Sequence, residues 1–240
     1  MRRQLFALGL AVAGVVSVSA CNPMMDKVFR DDAALTAKVT SVRLDGMKAG
    51  SVTVVGGTAK PSLARTIHYK DNRPEGPTHR IENGVLVLSG CGMDDCSVSY
   101  DIKVPAGLPV SGGTTSGSIH LSHVGQVNVT GHSGEITLDD VAGPVVARTH
   151  NGRIKGAGIS GKIDAETSNG AIDLTPSKAE SVRAKTTNGA ITLTVPKDGR
   201  YQVTSHTSNG GRDIGVQNDP SAANRLDLTT SNGHIEVRAA

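Results

Sequence analysis

From Thr114 onward the chain alternates apolar and polar residues in short bursts, and the bursts fall into a repeating frame. One apolar column reads Ile119, Ile136, Ile154, Ile172, Ile191, Ile214 and Ile235. Two residues on stand Leu121, Leu138, Gly156, Leu174, Leu193, Val216 and Val237. A spacing of two places both columns on one face of a strand. A second burst in each period begins with Val127, Val145, Ile163, Val182, Val203 and Leu226. It continues through Val129, Ala147, Ala165, Ala184, Ser205 and Leu228 to Thr149, Thr167, Thr186, Thr207 and Thr230. The pattern predicts two short strands and two turns per repeat.

The repeats are punctuated by Gly117, Gly134, Gly152, Gly170, Gly189, Gly210 and Gly233, at spacings of 17, 18, 18, 19, 21 and 23. A period near twenty is the signature of a stacked array, in which one repeat buries its apolar face only against the next. The expectation is an all-β protein, a β-solenoid of stacked two-strand rungs forming parallel sheets. Asn-Gly pairs begin at Asn151, Asn169, Asn188, Asn209 and Asn232, and are expected to supply the positive φ of a tight corner. Equivalent asparagines would stack about 4.8 Å apart and join in a side-chain ladder. Hairpins of an antiparallel sandwich use the same Asn-Gly pairs, but hairpins alone would not keep the columns in register.

Residues 38–105 alternate less regularly, with strands expected at Val39–Leu44, Val52–Val55, Thr66–Tyr69, Ile81–Leu88 and Ser97–Val104. Gly50-Ser51-Val52-Thr53-Val54 reads as a degenerate repeat, Arg73 to Thr78 as a loop, and Asn83-Gly84 as a hairpin turn. This half is read as first rungs and an irregular N-terminal β cap, continuous with the repeats of 106–240. Residues 38–240 would then form one domain, with a cap covering an otherwise adhesive edge.

Residues 1–20 have a basic start at Arg2 and Arg3 and an apolar run from Leu5 to Val18, the form of an export signal. The run ends Val18-Ser19-Ala20-Cys21, which resembles the bacterial lipobox. That resemblance implies lipidation at Cys21 and a lipid anchor on the outer, extracytoplasmic face of the cell membrane. Plain secretion with cleavage after Ala20 is the alternative. Residues 21–37 read as a polar tether without periodicity.

Composition narrows the picture further. Among 240 residues there are 29 glycines, no tryptophan and 2% aromatics, as suits a narrow core of Ile, Val, Ala and Thr. Removing the leader takes two arginines from 25 basic residues, leaving 23 against 22 acidic ones. That balance gives no nucleic-acid footprint. With Cys21 acylated, Cys91 and Cys96 remain as a pair in an exported chain, so a tight structural disulfide is expected. A redox or metal pair is the alternative, but the spacing is not Cys-x-x-Cys and no second pair completes a zinc site.

The Gly-Ser-Val-Thr-Val phrase, the strand Tyr100-Asp101-Ile102-Lys103-Val104-Pro105 and the Ser/Thr-x-Asn-Gly-x-Ile repeats are similar to the bacterial putative-adhesin domain, a family of unknown function. The resemblance spans about Val39 to Val237. It implies a solenoid of pectate-lyase-like appearance on an envelope protein, and no catalytic residues.

The residues themselves offer no catalytic set either. A solenoid lyase or glycosidase needs carboxylates or a calcium cluster on one outward face. Here Lys155 then Asp173, Asp164 then Arg183, and Arg148, Glu166 and Lys185 alternate in sign, as on a solvated sheet surface. Asp94-Asp95 and Asp139-Asp140 lack the alternating pattern of a calcium loop. His132 and His150 share a repeat position, with His120 and His123 just before, but no carboxylate joins them at fixed spacing. Gly131-His132-Ser133-Gly134 misses the spacing of a nucleophile elbow. No phosphate loop or dinucleotide fingerprint appears, so no metal or cofactor is expected.

The sequence thus predicts a non-enzymatic, lipid-anchored surface protein with an adhesin-like binding role. After the leader the aromatics are Phe29, Tyr69, Tyr100 and Tyr201, few for sugar platforms, so an envelope or surface protein is favoured over a wall glycan. The alternatives are a divergent carbohydrate-active enzyme, for which Asp139, Asp140 and Asp173 would be the acids, and an accessory of envelope-stress signalling. The last repeat, ending at Val237, is expected to lie uncovered and to allow weak self-association.

Overall fold

The structure, a computed structural model, describes residues 27–240. The leader, Cys21 and the first residues of the tether lie outside the described residues. The N-terminal part forms β1 (Lys27–Ala34), β2 (Ser41–Ala49), β3 (Val52–Gly56), β4 (Ser62–Tyr69), β5 (His79–Glu82), β6 (Val85–Ser89) and β7 (Cys96–Val104). The repeats then form strand pairs. These are β8 (Val110–Ser116) with β9 (Ile119–Ser122), β10 (Val127–Ser133) with β11 (Ile136–Asp139), and β12 (Val145–Asn151) with β13 (Ile154–Ile159). Next come β14 (Ile163–Asn169) with β15 (Ile172–Pro176) and β16 (Val182–Asn188) with β17 (Ile191–Val195). The last are β18 (Tyr201–Asn209) with β19 (Arg212–Ile214), and β20 (Asn224–Asn232) with β21 (Ile235–Ala239).

One strand of each pair enters an 11-stranded sheet and the other a 10-stranded sheet. Every ladder between repeats is parallel, and the central ones keep the predicted columns, as in Ile136 to Ile154 to Ile172 to Ile191. The outermost rung slips: Ile214, expected beside Ile235, pairs with Val237, and Arg212 takes the place beside Ile235, because the stretched corner adds two residues. Parallel pairing excludes the hairpin sandwich, because hairpins make antiparallel neighbours. The two sheets enclose the predicted columns: Ile119, Ile136, Ile154, Ile172 and Ile191 are at most 1% exposed. Where Gly156 interrupts the leucine column, β13 bulges and Ile159 turns inward to fill the gap.

The repeat phrase has a separate reason at each position. A Cβ on Gly134, Gly152, Gly170, Gly189 or Gly233 would overlap the carbonyl oxygen of the marker glycine one rung earlier. Glycine is therefore required there by close stacking of backbone. Among the described residues, the non-glycine residues with positive φ are Asn83, His123 and Asp140. The expected left-handed role for Asn151 and its equivalents is thus corrected. Their side chains form the ladder instead, with Asn169 donating to Asn151 and Asn188 to Asn169, each at 2.8 Å. The buried threonines have a task too: Thr167, Thr186 and Thr230 each donate at 3.0 Å to a marker-glycine carbonyl.

Rung order departs from chain order at both ends. The stack runs β6/β7, β2/β3, β8/β9, β10/β11, β12/β13, β14/β15, β16/β17, β20/β21 and β18/β19. At each end the outermost repeat of the chain is inserted one place inward. The degenerate phrase at Gly50 is one such rung, with Val52 against Ile119 and Val54 against Leu121. At the other end, β20 pairs with both β16 and β18. The expectation that the repeat ending at Val237 lies uncovered is therefore wrong, and β18/β19 is the open rung. Composition explains the choice. The inserted repeat brings Leu226 and Leu228, both 0% exposed, whereas β18 offers Val203 and Ser205, which remain half-buried.

The first end is capped. Strands β4 and β5 run antiparallel to β7 and β6, and Asn83-Gly84 makes the expected hairpin turn. Lys27–Ala34, expected to be part of a featureless tether, is instead β1, antiparallel to β4 at the sheet edge. The cause is a long-range contact. Arg65, buried in the cap, holds the Asp31 carboxylate with two bonds of 2.7 and 2.8 Å and donates to Thr78 at 2.9 Å. Phe29 of the same strand lies under the Arg73 guanidinium at 3.6 Å. Tyr100 buries its ring beneath, its hydroxyl 2.6 Å from the Thr78 carbonyl and 2.8 Å from that of Ser89.

Candidate binding surface

Outside the core, the 10-stranded sheet presents columns of outward side chains whose members come from successive rungs. One column reads Asn128, Val146, Asp164, Arg183, Asp227 and Thr204 in spatial order. The next reads Thr130, Arg148, Glu166, Lys185, Thr229 and His206. The predicted alternation of charge is present as a connected network. Arg148 meets Asp164 at 2.7 Å and Glu166 at 3.8 Å, Arg183 meets Asp164 at 3.5 Å, and Lys185 meets Glu166 at 3.3 Å. Exposed pairs of this kind add little stability each, but they hold long side chains upright in a fixed pattern.

At one margin of this network the surface dips into a shallow groove of about 310 Å³. Pro144 and Val146 give it an apolar floor, and Lys162, Asp164, Arg183, Arg225 and Asp227 give it a charged rim. Arg183 faces Asp227 only because β20 sits beside β16, so the groove is a product of the inserted rung. On the rim, Asp164 Oδ1 accepts no hydrogen bond, although Arg183 approaches it. The arrangement offers a hydrophobic contact and cationic donors within one side chain's reach.

The other singled-out residues are distributed as follows. Lys155 and Asp173 are register neighbours, but the ion pair on Asp173 is made by Arg153 at 3.4 Å. Asp139 turns to His120 at 3.9 Å, while Asp140, at the corner, turns to His123 at 3.5 Å. His132 and His150 stack with ring centroids 5.1 Å apart and planes 7° from parallel. Stacked rings do not converge their nitrogens on one point, and among the described residues no group of three His, Cys, Asp or Glu side chains is placed to hold a metal ion. Cys91 and Cys96 are joined by a disulfide, with Cα atoms 6.0 Å apart. Among the described residues no helix is long and apolar enough to cross a membrane.

Two parallel sheets closed by stacked glycine and asparagine corners define a β-solenoid domain with charge-laced outer faces. The chain belongs to the Toastrack family, DUF4097, whose model matches residues 108–238. Among curated proteins none matches it. Among solved structures, it is similar to a putative adhesin from Bacteroides fragilis at 14% identity and a TM-score of 0.47, over 88% of this chain and 97% of that one. A putative cell adhesion protein from Clostridium sporogenes is 12% identical with a TM-score of 0.38, over 89% and 100%. A putative adhesin from Parabacteroides merdae is 13% identical with a TM-score of 0.40, over 88% and 96%.

Proposed function

We propose that this protein is a lipid-anchored, non-enzymatic binding protein of the bacterial cell surface, and that its partner is another envelope protein gripped at the groove beside Val146. The observation that carries the reading is the groove's composition, an apolar floor rimmed by the ion pair of Asp164 and Arg183 and by Asp227 beside it. An apolar anchor with a polar rim is how protein partners are held. A pyranose would be expected to meet aromatic faces, and no aromatic side chain lines this groove. The anchor follows from the lipobox at Cys21. Only residues 22–26 separate that cysteine from β1, at most about 18 Å of extended chain. The capped end would then stand next to the bilayer, with the charged sheet face rising away from it.

Two experiments test the two parts separately. Cys21→Ser should release the protein from the membrane fraction, and retention at the wild-type level would remove the anchor. A photo-reactive residue at Val146 on intact cells should capture one discrete protein, weakened by Arg183→Glu. An equivalent residue at Thr137, on the opposite sheet, should not capture it. Equal capture at both positions, or none at Val146, would count against the groove.

A further inference from the structure

The two ends of the solenoid are treated in opposite ways. At the capped end the outermost strands are β1 and β5, and each carries charged side chains: Lys27, Arg30, Asp31 and Asp32 on the first, Arg80 and Glu82 on the second. Charges on an edge strand discourage pairing with another chain. At the other end β18 is the last strand of its sheet, nine residues long, and Gln202 to Gly211 contain no Asp, Glu, Lys or Arg. The strand itself therefore lacks the usual safeguard, and the one charge on this part of the edge comes from Arg212 of β19.

The rung is also incompletely buried. Val203, Ile214 and Val216 are half-buried against the core, while Leu226 and Val237, the partners of Val203 and Ile214 one rung inward, are at most 1% exposed. Part of the edge is already occupied. Val203 N donates to Asn218 Oδ1 at 2.8 Å, and Arg212 Nη1 donates to the Ser205 carbonyl at 2.9 Å. By the alternation of a strand, these contacts show that Val203, Ser205 and Thr207 aim their backbone groups away from β20. The N–H groups of Ser205 and Thr207 therefore face outward, and among the described residues no strand lies beyond them.

We infer that the open rung is completed by the open rung of a second copy of this chain, with the two β18 strands pairing antiparallel about a two-fold axis at His206. In this register Ser205 of one copy lies opposite Thr207 of the other, and the two exchange N–H to carbonyl bonds in both directions. The symmetry repeats the exchange, giving four bonds once the Arg212 guanidinium swings off the Ser205 carbonyl, and the 10-stranded sheet runs on through the axis. An isologous contact of this kind closes at two copies. The contact is confined to the Ser205–Thr207 part of the edge, because Tyr201 and Val203 already meet Asn218 of their own chain. The chain's own N-terminal segment is a poor rival, because β1 lies at the far end of the stack and the five residues between Cys21 and Lys27 are too short to span it. The absence of charge favours a second copy over a charged partner segment. Nothing in this inference depends on the groove or the lipid anchor.

The test is thiol cross-linking of the full chain in its native envelope. His206→Cys places the thiol on the axis, where directly opposed Cα atoms of an antiparallel non-hydrogen-bonded pair are about 4.5 Å apart. Thr137→Cys, outward in the middle of the opposite sheet, reports random collision. Mild oxidation should drive most of the His206→Cys protein to a species of twice the chain mass, at least fivefold above the Thr137→Cys level. Mixed Ser205→Cys and Thr207→Cys chains should cross-link to each other more than either does to itself. A His206→Cys yield no higher than that of Thr137→Cys would overturn the dimer. A His206→Cys adduct with a different protein would overturn it equally, showing that the edge takes another partner.

Discussion

Asn232 donates its side-chain amide to Asn188, 44 residues earlier, at 2.8 Å, and in turn accepts from Asn209 at the same distance. The asparagine ladder therefore runs 151, 169, 188, 232, 209, and it records the order of the rungs more plainly than the chain does. Each amide donates in the same direction along the stack, so Asn188 has two ladder bonds and Asn209 one. Asn188→Ala should destabilise the fold by about 1–2 kcal/mol, and Asn209→Ala by roughly half as much. Urea unfolding of the two variants checks the order of the effects.

Glycine at the corner is held by sterics. A Cβ on Gly170 would strike the Gly152 carbonyl, which belongs to the neighbouring rung's backbone and has no room to retreat. Gly170→Ala should cost about 3 kcal/mol or more, near the top of the range for overpacking. The exposed Thr187→Ala, one rung on, should stay within about 0.5 kcal/mol. Thermal melts of both variants make the comparison.

Ile172 and Asp173 are adjacent, yet one is 0% exposed and the other faces solvent beside Arg153. Ile172→Asp buries an unpaired carboxylate and should unfold the array, losing several kcal/mol. Asp173→Lys should lower the melting temperature only slightly. Equal shifts would mean that the strand register is wrong.

The cap should be the acid-sensitive part of the molecule. The hydrogen bonds from Arg65 hold the Asp31 carboxyl below its usual value. Burial, and then Arg65, push His79 below its ordinary value. In both groups the unfolded chain binds the proton more readily. Stability from His79 is thus full above about pH 6.5 and declines as pH falls through its lowered folded value. Stability from Asp31 is full above about pH 4 and is lost below that. His79→Phe should remove the upper arm and Asp31→Asn the lower. Hydrogen exchange in β1 and β4, followed from pH 7 to 3, would resolve the two.

Much of this was legible in the sequence. The columns beginning at Ile119 and Val127 gave strands, inward faces and parallel stacking, because a period of two and a period near twenty each have one structural meaning. Cys91 and Cys96 likewise met as expected. The order of the last two rungs was hidden, since both repeats carry the same turn and the same columns. One signal was available: Leu226 and Leu228 outweigh Val203 and Ser205, and the more apolar repeat belongs inside. The groove was hidden for the same reason, because Asp227 comes to lie beside Arg183 only through the inserted rung. Strand β1 was illegible locally, since its pairing depends on Arg65, 34 residues from Asp31.

The inserted rung governs the groove, the ladder and the identity of the open edge, so its position is the point to measure first. Arg183 lies beside Asp227, and Thr204 lies one rung further out. The double variants Arg183→Cys with Asp227→Cys, and Arg183→Cys with Thr204→Cys, can be oxidised in dilute solution and the linked peptides read by mass spectrometry. The structure predicts an internal cross-link in the first and little in the second. A dominant link between positions 183 and 204 would contradict it, because the rungs would then follow the order of the chain.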